Sequence, residues 1–208
     1  MMAGAVLLPL SACNGMFDDI YDEPIEDVVD GFGFSSVSDG TTVGKIYVDA
    51  TSYTDWVYIS FSDRKVTTID VSQPAPENWD IAVHRYDAKT NSGRVADSGA
   101  TGFSVLSSMA RPTADEYVAD IWTTDKIITD MSTMMDGYLS YADSYYNTEL
   151  SKWLNVDKST MPPIYSMSNK VYLVRLADGT DAAVKLENYM DAQGIKGYLT
   201  IQYIYPLQ

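Results

Sequence analysis

Asn78-Trp79-Asp80-Ile81-Ala82-Val83-His84-Arg85-Tyr86-Asp87 is the stretch that decides the fold. Trp79, Ile81 and Val83 alternate with Asp80, Ala82 and His84, and a period of two belongs to a strand. The expectation is one strand over 78–87, greasy on one face and small or polar on the other. The same β-rich character extends outward on both sides. Upstream it predicts strands at 45–49, 56–61 and 66–71, with a loop at Gln73-Pro74-Ala75-Pro76-Glu77, where two prolines forbid regular pairing. Downstream, 88–102 reads as loop, and strands are expected at 103–106, 117–122, 126–129, 170–176, 182–186 and 198–205. Asp178-Gly179 is a hairpin turn between two of them. The fold class is therefore all-β, a single antiparallel domain with one or two short helices. The best helix candidate is 147–154: Asn147 can cap it, and Leu150, Trp153 and Leu154 share a face.

Composition narrows the function. The 208 residues suffice for one full core, and sixteen Tyr with four Trp favour strands. The net charge of −15 repels phosphate backbones, so no nucleic-acid partner is expected. One cysteine, Cys13, and one histidine, His84, exclude an internal disulfide, a Cys-based zinc site and an H-E-x-x-H protease. No G-x-S-x-G, Cys–His pair or P-loop is present, so no enzyme is expected.

The chain divides into three. Residues 1–12 read as a lipoprotein signal segment, with the apolar run Val6-Leu7-Leu8-Pro9-Leu10 ahead of Ser11-Ala12-Cys13. Cys13 is the expected lipidation site. Residues 13–42 are the lipidated Cys and an acidic, flexible tether, carrying Asp18, Asp19, Asp22, Glu23, Glu26, Asp27 and Asp30 and then Gly31-Phe32-Gly33-Phe34-Ser35-Ser36. Acidic residues close behind such a cysteine resemble a surface-export signal of lipoproteins in some Gram-negative anaerobes. Residues 43–208 are the β domain.

Inside that domain, 131–167 carries the candidate site. Met131, Met134 and Met135 precede the turn Asp136-Gly137; Tyr138, Tyr141, Tyr145 and Tyr146 follow; the expected helix comes next, then Lys158, Met161 and Pro162-Pro163. Methionine ordinarily fills cores and tyrosine ordinarily packs, so these residues alone leave a binding role open.

A resemblance gives the pattern a meaning. Tyr53-x-x-Trp56-x-Tyr58-x-Ser60-Phe61-Ser62, the ten residues from Asn78 to Asp87, Lys170-Val171-Tyr172-Leu173-Val174-Arg175-x-Ala177-Asp178-Gly179 and Tyr203-x-Tyr205-Pro206 resemble the HmuY family of haem-binding lipoproteins, from about Val43 to the C-terminus. The resemblance implies a domain on the outer membrane, surface-exposed and lipid-anchored or shed. It would bind haem (iron protoporphyrin IX) and pass it to a TonB-dependent outer-membrane receptor, with host haemoproteins as a possible source. Family members hold haem iron between axial ligands on two loops, two histidines in the best-known member and two methionines in others. Here the second family histidine falls at Lys158, which leaves Met161 as the nearest soft ligand. The first falls in a divergent segment where Met131, Met134 and Met135 compete. His84 lies in the scaffold block. With thioether and phenolate remaining, the expected axial pair is Met134 and Met161, with Met135 as the fallback on the assumption that an extended path turns one of two neighbours inward. Tyr138, Tyr141 and Lys158 are expected in the pocket, Lys158 toward the propionates. Two other readings stand beside this: a surface lipoprotein binding glycans on aromatic platforms, and a structural adhesin.

Overall fold

The computed structural model describes residues 31–35, 43–160 and 162–208; Cys13 and Met161 lie outside them. Fifteen strands follow in order: β1 (Gly33–Phe34), β2 (Gly44–Asp49), β3 (Asp55–Ser60), β4 (Lys65–Asp70), β5 (Ile81–His84), β6 (Asp87–Thr90), β7 (Arg94–Asp97), β8 (Val118–Ala119), β9 (Ile121–Asp130), β10 (Ser140–Tyr146), β11 (Leu154–Asp157), β12 (Ile164–Met167), β13 (Tyr172–Arg175), β14 (Asp181–Met190) and β15 (Lys196–Ile204). They form a seven-stranded sheet in the order β1-β2-β15-β14-β13-β7-β8, a four-stranded sheet β4-β3-β5-β6, and two separate hairpins, β9–β10 and β11–β12. All pairings among the described residues are antiparallel.

Alternation explains how the sheets stack. Ile46, Val48, Leu199 and Ile201 of the large sheet meet Val57, Ile59, Ile81 and Val83 of the small one in a single buried cluster, joined by Leu150, Trp153 and Leu154. Each such side chain contributes about 1.5–3 kcal/mol on burial. The small sheet is also covered on its other face. There Trp56, Tyr58 and Ala82 pack with Ile127 of β9, and Ala142 and Tyr146 of β10 lie against them. The outer face of the large sheet packs Ala96, Leu173 and Ala183 with Leu106 and Tyr117.

Five expectations are corrected. Residues 78–87 are not one strand: Arg85 takes φ 55° and reverses the chain, so β5 and β6 pair from Ile81↔Thr90 to His84↔Asp87. Tertiary contacts hold that turn, since Arg85 Nη1 donates to the Thr51 carbonyl at 2.5 Å and the guanidinium lies over the Tyr53 ring at 4.6 Å. Residues 88–102, read as loop, contain most of β6 and all of β7. Residues 103–106 form not a strand but part of the 3-10 turn Phe103–Ser108. The helix over 147–154 shortens to the 3-10 turn Leu150–Trp153, because Leu154 already pairs with Met167 in a strand. The flexible reading of Gly31-Phe32-Gly33-Phe34-Ser35-Ser36 also fails for Gly33 and Phe34. They pair with Tyr47 and Ile46 as β1, and Phe34 meets Tyr203 edge-on at 5.3 Å.

Candidate functional site

Asn147 sits where the two hairpins meet. It is fully buried and follows directly on β10. Its backbone N–H donates to the Ala88 carbonyl at 2.7 Å. Its side-chain oxygen accepts from the N–H groups of Glu149 and Leu150 at 3.1 and 2.8 Å, the capping role read from the sequence. Its side-chain nitrogen donates to the Val118 carbonyl and to the Asp120 carboxylate at 3.2 and 2.8 Å. Six residues on, Trp153 is buried with its indole N–H donating to the Tyr86 carbonyl at 2.7 Å. The segment 147–153 thus ties the start of β9, the β5–β6 turn and the start of β11 together, and sends two hairpins out from one base.

At the tip of the first hairpin, Met134 and Met135 lie in the 3-10 turn Met134–Asp136 rather than on an extended path, so alternation does not choose between them. The turn closes through Gly137, at φ 85°, whose N–H donates to the Met134 carbonyl at 3.0 Å. Glycine suits that left-handed position because a Cβ there is costly. Met135 is 89% exposed and Met134 39%; Met131 is half-buried. The tip is held further by Asp130, which accepts from the Ser132 N–H and hydroxyl, and by Thr133, whose carbonyl accepts from the Tyr138 N–H at 3.2 Å. At the tip of the second hairpin are Lys158, Ser159 and Thr160, with Asp157 accepting from the Ser159 N–H at 2.8 Å.

Between the hairpins lies a cleft of about 330 Å³, at the lower end of the range for small-molecule sites. Ile128 and Tyr141 line one side, Leu154 and Val156 the other, and Tyr86 and Tyr146 are among the rings that border it. Lys126, Lys152 and Lys158 bring three ammonium groups to it, Asp87 and Asp125 two carboxylates. Lys152 is engaged with Glu149 at 2.6 Å. The Asp87 carboxylate accepts no hydrogen bond from a described residue, and burial pushes its carboxyl up to about 7 against the pull of Lys158 and Lys126. Burial, with Tyr165 and Asp87 nearby, also holds the Tyr86 phenol well above its ordinary value, so it stays neutral.

The expected pocket residues therefore divide. Tyr141 and Lys158 line the cleft; Tyr138 is 72% exposed and does not. His84 is fully buried on β5, with Nε2–H donating to the Tyr53 carbonyl at 2.8 Å and burial lowering its proton affinity. It is remote in role from the cleft, which it does not line. Sequence reasoning missed Lys126 and Asp87. The bulge in β9, where Ala142 pairs with Ile127 and Ser144 with Thr123, decides where Lys126 points, and nothing in the sequence marks it. Among the described residues no cluster of three or more His, Cys, Asp and Glu could hold a free metal ion.

The fold and cleft define a two-sheet β domain that presents paired hairpins. The family model described as HmuY protein matches residues 52–203, and the chain belongs to that family. A solved Bacteroides vulgatus structure, described as a HmuY-like heme binding protein, is 56% identical with a TM-score of 0.79, covering 86% of this chain and 100% of its own. A Bacteroides fragilis structure described as a lipoprotein is 48% identical, with a TM-score of 0.79, covering 85% and 96%. The apo HmuY analogue of Tannerella forsythia, at 22% identity and a TM-score of 0.67, covers 82% and 100% and shares the fold. No curated protein matches.

Proposed function

We propose that this chain binds haem between the tips of its two hairpins and delivers it to an outer-membrane receptor. One observation carries the reading: consecutive hairpins, fixed at one base, flank a cleft where Ile128, Leu154, Val156 and the rings of Tyr86, Tyr141 and Tyr146 stand beside the charged groups of Lys126, Lys152, Lys158, Asp87 and Asp125. That lining fits an amphiphilic disc with two carboxylates. The family supports it, as does the description of the Bacteroides vulgatus relative as heme binding. Iron held in a porphyrin needs only axial partners, and bound haem supplies that iron. Met134 and Met161 are the residues proposed to ligate it, with Met135 the fallback. Tyr141 and Lys158 would contact the ring and its carboxylates. Tyr138 stands at the rim of the Met134 loop.

The finer claims follow from the same reading. Residues 1–12 would be removed, Cys13 lipidated, and 13–42, apart from the strand Gly33–Phe34, would tether the domain on the outer-membrane surface, unless shed. The Bacteroides fragilis relative, described as a lipoprotein, supports the anchor. A TonB-dependent receptor would take the haem, and host haemoproteins would supply it. The protein is a carrier, not an enzyme. Aromatic platforms for glycans gain nothing from Trp122 and Tyr145: both are exposed, yet they pack edge-to-face at 80°, so they form no single flat surface.

A haem titration of the purified protein, with and without dithionite, tests the reading. Thioether sulfur is soft and favours ferrous iron, so reduction should tighten binding and give a six-coordinate low-spin spectrum. Met134→Ala and Met161→Ala should each weaken ferrous-haem affinity at least tenfold, and together nearly abolish it. Met167→Ala and Met190→Ala should leave it unchanged. Ferrous-haem binding by Met161→Ala at wild-type strength would move the second ligand elsewhere.

A further inference from the structure

Lys126 and Asp87 are among the cleft residues that the axial-ligand reading leaves unused. The chain carries 29 acidic residues and only 14 Lys and Arg, yet three lysines converge on this one cleft. Lys152 is already paired with Glu149. Lys126 comes from β9 of the first hairpin, and its nearest carboxylate, Asp125, is a loose 3.7 Å away. Lys158 comes from the tip of the second hairpin. Asp87 belongs to neither hairpin; it opens β6 at the base of the cleft.

We infer that Lys126 and Lys158 are carboxylate-binding residues, one on each hairpin, and that Asp87 is an internal anion which the two carboxylates of a bound porphyrin replace. The proposal rests on the haem reading above, which already gives Lys158 to the carboxylates, and goes beyond it by adding Lys126 as their second partner and by naming what holds the cleft's charge in balance without them.

The groups that line the cleft with Asp87 come from every element around it, and Lys158, Lys126, Tyr86 and Tyr146 are those that interact with it electrostatically. Lys126 and Asp125 stand on β9, Tyr146 and Tyr141 on β10, Ser151 and Lys152 on the 3-10 turn Leu150–Trp153, and Lys158 on the loop after β11. Tyr86 and Arg85 precede it in the chain. Neither Lys126 nor Lys158 closes a direct ion pair with Asp87, so both act on it through space and remain within reach of a ligand. When a dicarboxylate draws the lysines to itself, Asp87 loses its two cations, gains two neighbouring anions and loses cleft water. Each change favours the protonated carboxyl. With the free-state value already at about 7, binding takes up a proton from neutral solution, and affinity rises as pH falls from 8.5 toward 6.

The test compares haem with haem dimethyl ester, whose carboxylates are masked while ring and iron are kept. Soret absorbance and quenching of tryptophan fluorescence report binding, and thermal unfolding of each apo variant reports folding. Wild type should bind haem at least tenfold tighter than the ester. Lys126→Met and Lys158→Met should each weaken haem several-fold and leave ester binding alone. Asp87→Asn should bind haem at pH 8 at least as tightly as wild type and lose the pH dependence. Equal wild-type affinity for haem and ester would overturn the inference while leaving the haem reading intact. So would folded Lys126→Met binding haem as wild type does, or an unchanged pH profile in Asp87→Asn. Absence of any wild-type haem signal would overturn both.

Discussion

Asp87 and His84 lie three residues apart on either side of one turn, and burial shifts each of them toward its neutral form. Their effects on stability run in opposite directions with pH. Asp87 has a folded-state value raised to about 7, above the ordinary 3.8. Folding then favours the proton: its contribution is fully present below about pH 4 and is lost as pH rises through 7. Asp87→Asn should therefore stabilise the apo protein at pH 8, on the order of 2 kcal/mol because the cleft side still meets water, and change little near pH 4. Urea unfolding at the two pH values measures this, and an equal effect at both would mean that Asp87 is not proton-linked. His84 is lowered instead, so its neutral form supports folding above about 6.5 and stability drops as pH falls below that. His84→Ala should cost about 1–3 kcal/mol at pH 7.5, since it orphans the Tyr53 carbonyl and opens space beside Trp56. Its haem spectrum should match wild type. A lost Soret band in a folded His84→Ala protein would mean that the imidazole reaches the iron.

The hairpins are the elements on which the proposed function depends, and Asn147 ties their bases together. Replacing it with Ala removes two accepted and two donated side-chain hydrogen bonds inside the protein. A loss of about 2–4 kcal/mol is expected, with faster amide exchange in β9–β10 and β11–β12 than in β14–β15. A cost below about 1 kcal/mol would mean that the hairpins are anchored elsewhere. Much of this level was legible in the sequence. Strands such as β2, β3, β4, β13 and β15 declared themselves by composition and alternation, the Asp178-Gly179 turn by its residues, and Asn147 by its capping potential. What was not legible has a common physical cause. Arg85 adopts a left-handed conformation because Thr51 and Tyr53 hold its guanidinium, partners more than thirty residues away. Leu150–Trp153 stops after one turn because Leu154 finds a strand partner in Met167. Gly33 and Phe34 join the sheet through contacts with β2 and Tyr203. Tyr141 and Lys158, singled out through the family resemblance, line the cleft, whereas the placing of Lys126 and Asp87 there depended on a bulge and on an unforeseen turn.

At the scale of the whole molecule, the described β domain is one piece and its proposed anchor another. The proposed tether between them carries seven carboxylates between Asp18 and Asp30, a run that solvates easily and repels an anionic surface. Cys13→Ala should move the protein from the detergent phase to the aqueous phase on partitioning, with the haem spectrum unaltered. Retention of Cys13→Ala in the detergent phase would mean that something other than a lipid on that cysteine holds it. The domain itself separates two duties. Its buried clusters draw on Ile127 and Ala142 of the first hairpin and on Leu154, Tyr165 and Met167 of the second, and among the described residues none of their members lies between Ile127 and Ala142 or between Leu154 and Tyr165. The loop tips can therefore accept new side chains without disturbing the sandwich. If the tips hold iron as proposed, one donor can be exchanged for another there by single substitutions, each nearly neutral for folding, so the chemistry presented at the tips is free to evolve while the scaffold beneath it stays constant.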